Sequence, residues 1–152
     1  MLATDIKYKI NTATEKDICA HLKECNSNFK PLLSERIDID EYSKKLFDKS
    51  ITFEAWQNNI LAGTIAAYFN QANQSAFITN VSVLKNFMGL GIASELLKMC
   101  IEYTTKNNIK EIKLEVNQKN DHAINFYQKF YFIQDGIKGD ELIMKFYVTN
   151  IL

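Results

Sequence analysis

The order of hydrophobic patterns predicts an α/β (α+β) fold: a mixed, mostly antiparallel central sheet of about seven strands, flanked by about four helices. Three observations carry this. Three strand-like patterns follow one another in mid-chain, separated only by Asn58-Asn59 and by Asn70–Gln74, both good polar turns. One long helical stripe, Ile92 to Tyr103, lies between two strand patterns, the arrangement of a crossover joining parallel strands. The chain ends in a further pair of strand patterns spaced as a hairpin.

From Ile6 to Asn11, Ile6, Tyr8 and Ile10 alternate with polar residues, which predicts a half-buried first strand. Thr12-Ala-Thr breaks it. Thr14 with Asp17 three residues later starts a helix, Asp standing where a capping box more often has Glu. Ile18, Leu22 and Cys25 follow at helical spacing. Asn26–Pro31 is a loop with the only proline, and Asp38 or Asp40 opens a second helix through Tyr42, Leu46 and Phe47. After Lys49-Ser50 the period becomes that of strands: Ile51–Gln57, Ile60–Phe69 and Ala76–Val83 form an antiparallel meander. A helix runs from about Leu90 to Asn107 on the stripe Ile92, Leu96, Met99, Cys100 and Tyr103. Ile112, Leu114 and Val116 mark a strand, and Asn120–Phe130 a short helix carrying Ala123, Phe126, Tyr127 and Phe130. Tyr131–Gln134 and Glu141–Val148 close the chain as a hairpin around Gly136 and Gly139. With 152 residues and no linker, repeat or low-complexity tract, the chain reads as one domain, residues 1–152.

Basic and acidic residues balance at 18 each. A duplex nucleic-acid binder needs a basic face, so no such partner is expected. Neutrality also argues against an acidic surface built for basic protein tails. Arg36 is the only arginine, and its bidentate fork cannot be copied by the many lysines. Cys19, Cys25 and Cys100 form no CxxC, and with His21 and His122 they give no zinc pattern; no metal is expected. Free thiols, a start at Met1–Lys9 without an apolar leader, and no apolar run of the roughly 18 residues a membrane helix needs lead to the expectation of a cytoplasmic protein off the membrane.

The most informative stretch is Val81-Ser-Val-Leu-Lys-Asn-Phe-Met-Gly-Leu-Gly-Ile-Ala, a strand running through a glycine loop straight into a helix. Gly89 and Gly91 let backbone N–H groups approach a ligand with no Cβ in the way. The helix start adds unpaired N–H groups and the positive end of its dipole. The pattern suits a pyrophosphate, or is simply a tight turn with two steric glycines. Neither the P-loop nor the dinucleotide GxGxxG spacing is present.

The stretch resembles the GNAT superfamily of acetyl-CoA-dependent N-acetyltransferases, whose loop reads Arg/Gln-x-x-Gly-x-Gly/Ala after a strand ending Val-x-Val. Met88-Gly-Leu-Gly91-Ile-Ala93 matches all constrained positions but the first. Downstream, Glu115-Val-Asn-Gln-Lys-Asn120-Asp-His-Ala123-Ile-Asn-Phe-Tyr127-Gln-Lys129-Phe-Tyr-Phe132 is similar to the family's second motif. The resemblance implies that acetyl-CoA lays its pantetheine arm against Val81, Ser82 and Val83 and its pyrophosphate on the amides of Met88, Gly89, Leu90, Gly91, Ile92 and Ala93. It also implies that Asn120 contacts the cofactor and that Tyr127 faces its sulfur. Three departures stand out: Met88 for Arg or Gln, Lys85 where Pro is frequent, and Tyr131 for Gly. The last implies a different turn out of the short helix.

Acetyl transfer needs a neutral amine, a polarised carbonyl, near-attack placement and a proton for the leaving thiolate. Tyr127 fits the proton donor, since a phenol of pKa ~10 matches a thiolate well; otherwise it is a helix tyrosine packed on the sheet. By resemblance, a backbone N–H at Val81 or Ser82 polarises the carbonyl. Glu115, twelve residues before Tyr127 as in bacterial ribosomal-protein alanine acetyltransferases, is the candidate base or an ordinary polar-face residue, with Glu54 second. Arg36 and Glu35 are the candidate acceptor contacts, unless Arg36 pairs with Asp38, Asp40 or Glu41. No cysteine is placed to carry an acyl intermediate, although Cys100 stays open. The reading is an acetyltransferase acting on a small-molecule amine through a ternary complex. The alternatives are a protein N-terminal alanine-type enzyme and a non-catalytic acyl-CoA-binding module, and a homodimer is open.

Overall fold

The computed structural model describes residues 5–148; residues 1–4, part of the stretch read for a leader, and 149–152 lie outside the described residues. In chain order the elements are β1 (Lys7–Ile10), α1 (Glu15–Cys25), α2 (Leu33–Arg36), α3 (Ile39–Lys49), β2 (Ile51–Gln57), β3 (Ile60–Asn70), β4 (Ser75–Val83), α4 (Ile92–Lys106), β5 (Glu111–Asn117), α5 (Asp121–Lys129), β6 (Ile133–Lys138) and β7 (Glu141–Tyr147). One seven-stranded sheet has the order β1-β2-β3-β4-β5-β7-β6. The pair joined by the α4 crossover, β4 with β5, is parallel, as the sequence predicts. The β1–β2, β2–β3, β5–β7 and β6–β7 pairs are antiparallel.

The chain forms two compact units. The first comprises residues up to Tyr68 with Asn80–Cys100; the second comprises Phe69–Thr79 with residues from Ile101 onward.

In the first unit, α1 starts where the sequence places it. Thr14 accepts from the Asp17 N–H and Asp17 accepts from the Thr14 N–H, a complete capping box. Ile18, Leu22 and Cys25 are buried on one face. Asp38, not Asp40, caps α3 by accepting from the Glu41 N–H. The short helix α2 was not anticipated: four residues are too few for a periodic signal. The predicted half-buried first strand is corrected, because Tyr8 and Ile10 are 36% and 42% exposed. β1 is an edge strand, and only the preceding Ile6 is buried. The ladder between β2 and β3 slips between Ala55 and Trp56, which pair with Gly63 and Leu61. Gly63 is glycine for close packing: a Cβ there would lie 2.8 Å from Ile92 Cγ2 and 3.4 Å from Val83 Cγ2. On α4, Leu96, Leu97 and Cys100 are fully buried, so the predicted stripe is rotated to include Leu97.

In the second unit, β5 alternates as predicted, with Ile112, Leu114 and Val116 inward. Lys145 on β7 bridges Glu111 at 3.3 Å and Asp135 at 3.1 Å, tying three strands on one face. Gly136 is not in the hairpin turn but inside β6, where the register shifts between Gln134 and Ile137. The turn after α5 is also a correction. Tyr131 N–H donates to the Gln128 carbonyl and Phe132 N–H to the Tyr127 carbonyl, the ordinary Schellman closure. Tyr131 itself takes the left-handed conformation, φ +70°, that glycine adopts without strain.

Candidate active site

β4 enters this site as an alternating strand: Asn80 and Ser82 are buried on one face, Val81 and Val83 half-buried on the other. Its ladder with β5 covers only Ser75 to Phe77, so residues 78–83 lie beyond that pairing. Leu84 N–H donates to the Ala62 carbonyl at 2.8 Å, and the chain then turns through a 3-10 segment, Lys85–Phe87. Buried Phe87 anchors the turn. Met88 beyond it is 52% exposed and carries no cationic group. Gly89 and Gly91 have φ of +82° and +79°, and a Cβ at either would meet no atom within 4 Å. Both therefore permit the positive φ and leave the backbone open on that side. α4 starts at once, with Glu95 N–H donating to the Gly91 carbonyl, so the N–H groups of Ile92, Ala93 and Ser94 belong to its unpaired first turn. Residues 81–93 thus form one continuous strand, turn and helix start. The Met88 N–H, expected to face a ligand, is instead spent on the Lys85 carbonyl at 3.2 Å. The amides from Gly89 to Ala93 are the open ones, which fits an anionic, extended ligand such as a pyrophosphate with its arm.

In the second unit, Asn120 is the N-cap of α5, its Oδ1 accepting from the Ala123 N–H at 3.1 Å. The motif asparagine therefore has a local structural role that its position before a helix already announces. Tyr127, on the same helix, is 8% exposed. Its ring meets Phe126 edge-on at 5.3 Å and Phe132 at 5.7 Å. Burial pushes the phenol up to about 12, so it stays protonated across the physiological range. Among the described residues no hydrogen bond to that hydroxyl is formed, and it remains free to donate. Glu115 on β5 is partly buried, with Oε2 3.7 Å from Lys138 Nζ. Lys129 is exposed.

Arg36 and Glu35 are exposed at the end of α2. Arg36 forms no ion pair among the described residues; its guanidinium lies over the Phe29 ring at 5.9 Å. Asp40 pairs instead with Lys23 at 3.1 Å, and Asp38 is spent on its cap. Ser34, another residue of this segment, is held by Asn26 in two hydrogen bonds.

Two sequence candidates are removed. Cys100 is fully buried and pushed up to about 12 by desolvation, so it holds its proton and is no acyl carrier. Glu54 is also fully buried. It accepts from the N–H groups of Thr12 and Ala13 and the Trp56 indole at 3.0 Å, and from the Thr12 and Thr52 hydroxyls. A carboxylate so saturated with donors is a structural clamp and not a base.

Sequence reasoning missed a buried polar cluster. His21 Nε2 lies 2.8 Å from Ser82 Oγ, and His21 Nδ1 lies 2.8 Å from the Leu61 carbonyl. Asn80 Oδ1 is 2.8 Å from the same Ser82 hydroxyl, and Cys25 Sγ is 3.6 Å from His21 Nε2. The only signal in the chain is the i, i+4 spacing that puts His21 on the face of buried Cys25. Among the described residues no group of three His, Cys, Asp or Glu is arranged to hold a metal ion.

The sequence pattern of the Acetyltransferase (GNAT) family matches residues 16–132. Among solved structures, the chain is similar to the PaiA N-acetyltransferase of Thermoplasma acidophilum in complex with coenzyme A. Identity is 17%, coverage 93% of this chain and 99% of that one, and the TM-score 0.75. It is similar to PH1933 of Pyrococcus horikoshii OT3 at 26% identity, 93% and 98% coverage and a TM-score of 0.74. It is also similar to the ribosomal-protein-S18-alanine N-acetyltransferase of Escherichia coli, at 17% identity, 93% and 94% coverage and a TM-score of 0.73.

Proposed function

The chain belongs to the acetyltransferase (GNAT) family, and from that premise we propose that it moves an acetyl group from acetyl-CoA to the primary amine of a small molecule, by direct attack in a ternary complex. The observation that carries the cofactor half is the open run of backbone amides from Gly89 to Ala93, with Gly89 and Gly91 at positive φ and no atom near either missing Cβ. Acetyl-CoA brings the acetyl group as an activated thioester. The protein's own residues do the rest. The N–H groups of Gly89–Ala93 bind the pyrophosphate, with Met88 beside them. A backbone N–H at Val81 or Ser82 stabilises the negative charge that develops on the acyl oxygen. Asn120 contributes a cofactor contact with the side-chain N–H groups its cap leaves unused. Tyr127 donates a proton to the departing sulfur. Glu115 takes the proton of the incoming ammonium, and the weak contact with Lys138 leaves it an oxygen to do so. Arg36 and Glu35 meet the acceptor, and the absence of a carboxylate partner for Arg36 among the described residues favours an acceptor bearing a carboxylate or phosphate.

The even balance of 18 basic and 18 acidic residues favours a small acceptor over a basic protein tail. A protein N-terminal alanine substrate is the second reading, favoured by the spacing of Glu115 and Tyr127. We also propose that the enzyme works in the cytoplasm; no helix among the described residues is long and apolar enough to cross a membrane. β6, last in the sheet order and with Ile133 and Ile137 exposed, is where we place a homodimer contact, which sedimentation checks.

Calorimetric titration with acetyl-CoA at low and moderate salt is the test. Without an Arg or Gln at Met88 the affinity should be one to two decades below a site that has one, roughly the worth of one charge-assisted hydrogen bond. Micromolar binding, followed by turnover on a small-amine panel and not on an alanine-terminated peptide, supports the proposal. A folded sample that binds nothing rejects it.

A further inference from the structure

We infer that His21 is a positioning residue for acetyl transfer: its imidazole ties the Ser82 side chain on β4 to the Leu61 carbonyl on β3 and so fixes the backbone N–H groups of Val81 and Ser82. The inference rests on the reading above, in which those N–H groups face the acyl oxygen.

The hydrogen-bond directions follow from the partners. A carbonyl only accepts, so His21 Nδ1, 2.8 Å from Leu61 O, carries a proton. Ser82 Oγ has one proton and two neighbours at 2.8 Å, His21 Nε2 and the Asn80 side chain. Two arrangements satisfy everyone. In one, the imidazole is doubly protonated and Ser82 donates to the Asn80 oxygen. In the other, the imidazole is neutral, Ser82 donates to Nε2, and the Asn80 amide turns its NH2 toward Ser82. His21 is 3% exposed, and burial pushes it down to about 4, which selects the neutral arrangement. In that arrangement the tie runs from Ser82 O–H to Nε2 and from Nδ1–H to Leu61 O.

The same low basicity separates positioning from proton transfer. To act as the base, His21 would have to hold a second proton where burial disfavours it. Its geometry suits a different task. It joins α1 to two strands, at the place where the β2–β3 ladder slips past Leu61. A second tie comes from the turn following α1, where Asn28 Nδ2 donates to the Val83 carbonyl at 3.4 Å. A third is the Leu84 N–H bond to Ala62. These three ties hold the last residues of β4 just before the chain leaves for the glycine loop. An oxyanion donor works only when held within a few tenths of an ångström of the position the charge will occupy.

The test compares His21→Asn, whose shorter amide reaches Leu61 O but not Ser82, with Ser82→Ala and the double variant. Two readouts are used: amide hydrogen exchange at residues 81–84 of the free protein, and kcat with acetyl-CoA Kd per folded molecule well below Tm. Each single variant should exchange at least about tenfold faster there and lose about tenfold in kcat, with Kd moving less than about threefold. The double variant should be no worse than the worse single one, because both break one chain of bonds. His21→Gln, which reaches Ser82, should restore part of the loss and serves if His21→Asn does not fold. Unchanged exchange overturns the inference. So does a lower Tm with kcat within about twofold of wild type, which would leave His21 a core residue only. In both cases normal wild-type turnover leaves the family reading standing. A wild-type chain that binds no acetyl-CoA overturns that reading and this role with it.

Discussion

Tyr127, the candidate proton donor, and Glu54, the structural clamp, are both buried, but in opposite surroundings. Around Tyr127 burial removes water and supplies no hydrogen-bond partner among the described residues, so the phenol is pushed up to about 12 and its proton is retained. Tyr127→Phe should lower kcat about 10²- to 10³-fold with acetyl-CoA affinity nearly unchanged, read by turnover and calorimetry side by side. Because the acid form persists to about pH 12, no alkaline limb of the pH–rate profile below ~pH 11 should disappear in that variant. Around Glu54, burial is matched by five donors from Thr12, Ala13, Thr52 and Trp56. Glu54→Gln turns an NH2 group toward those donors and should cost about 3 kcal/mol in denaturant unfolding. Turnover per folded molecule should be unchanged; a selective loss of kcat would return Glu54 to the list of bases.

Elements were legible where their cause is local. The Thr14–Asp17 box, the Asn58-Asn59 turn and the alternation of β5 each lie within a few residues, so composition and spacing reveal them. The turn after α5 was misread for the opposite reason. A Schellman closure needs one residue at positive φ, and the chain adopts it even with Tyr131 there. That conformation costs an L-residue with a Cβ roughly 1–2 kcal/mol, and Tyr131, 82% exposed, has little packing to offset it. Tyr131→Gly should therefore stabilise the protein by about 1 kcal/mol, seen as a raised Tm. Gly63→Ala should do the reverse. Its Cβ would press on Ile92 Cγ2 at 2.8 Å, and overpacking of this kind costs about 1–3 kcal/mol. An unchanged Tm in either variant would contradict the packing described here.

For the molecule as a whole, the acid side of the stability curve should carry the signature of His21. Its folded-state pKa, about 4, lies below its ordinary 6.5, so the unfolded chain binds the extra proton between those values. The contribution of the neutral imidazole is complete above pH 6.5 and is lost as pH falls toward 4. At about 1.4 kcal/mol per pKa unit it amounts to about 3 kcal/mol. Urea unfolding across that range should show a slope that flattens in His21→Asn; an equal slope in both proteins would mean the imidazole is not held neutral.

The sequence by itself determined the element order, the parallel crossover, the glycine loop and the family, because each depends on periodicity and on motifs contiguous in the chain. Only the tertiary structure decided that Glu54 is a clamp, that Cys100 is inert, that Arg36 stacks on Phe29, and that His21 meets Ser82 and Leu61. The physical reason is distance along the chain. His21 is 40 and 61 residues from its two hydrogen-bond partners, and Glu54 is 41 and 42 from the amides that hold it. What a polar side chain does depends on which groups surround it once water is gone, and those groups are assembled only by the fold.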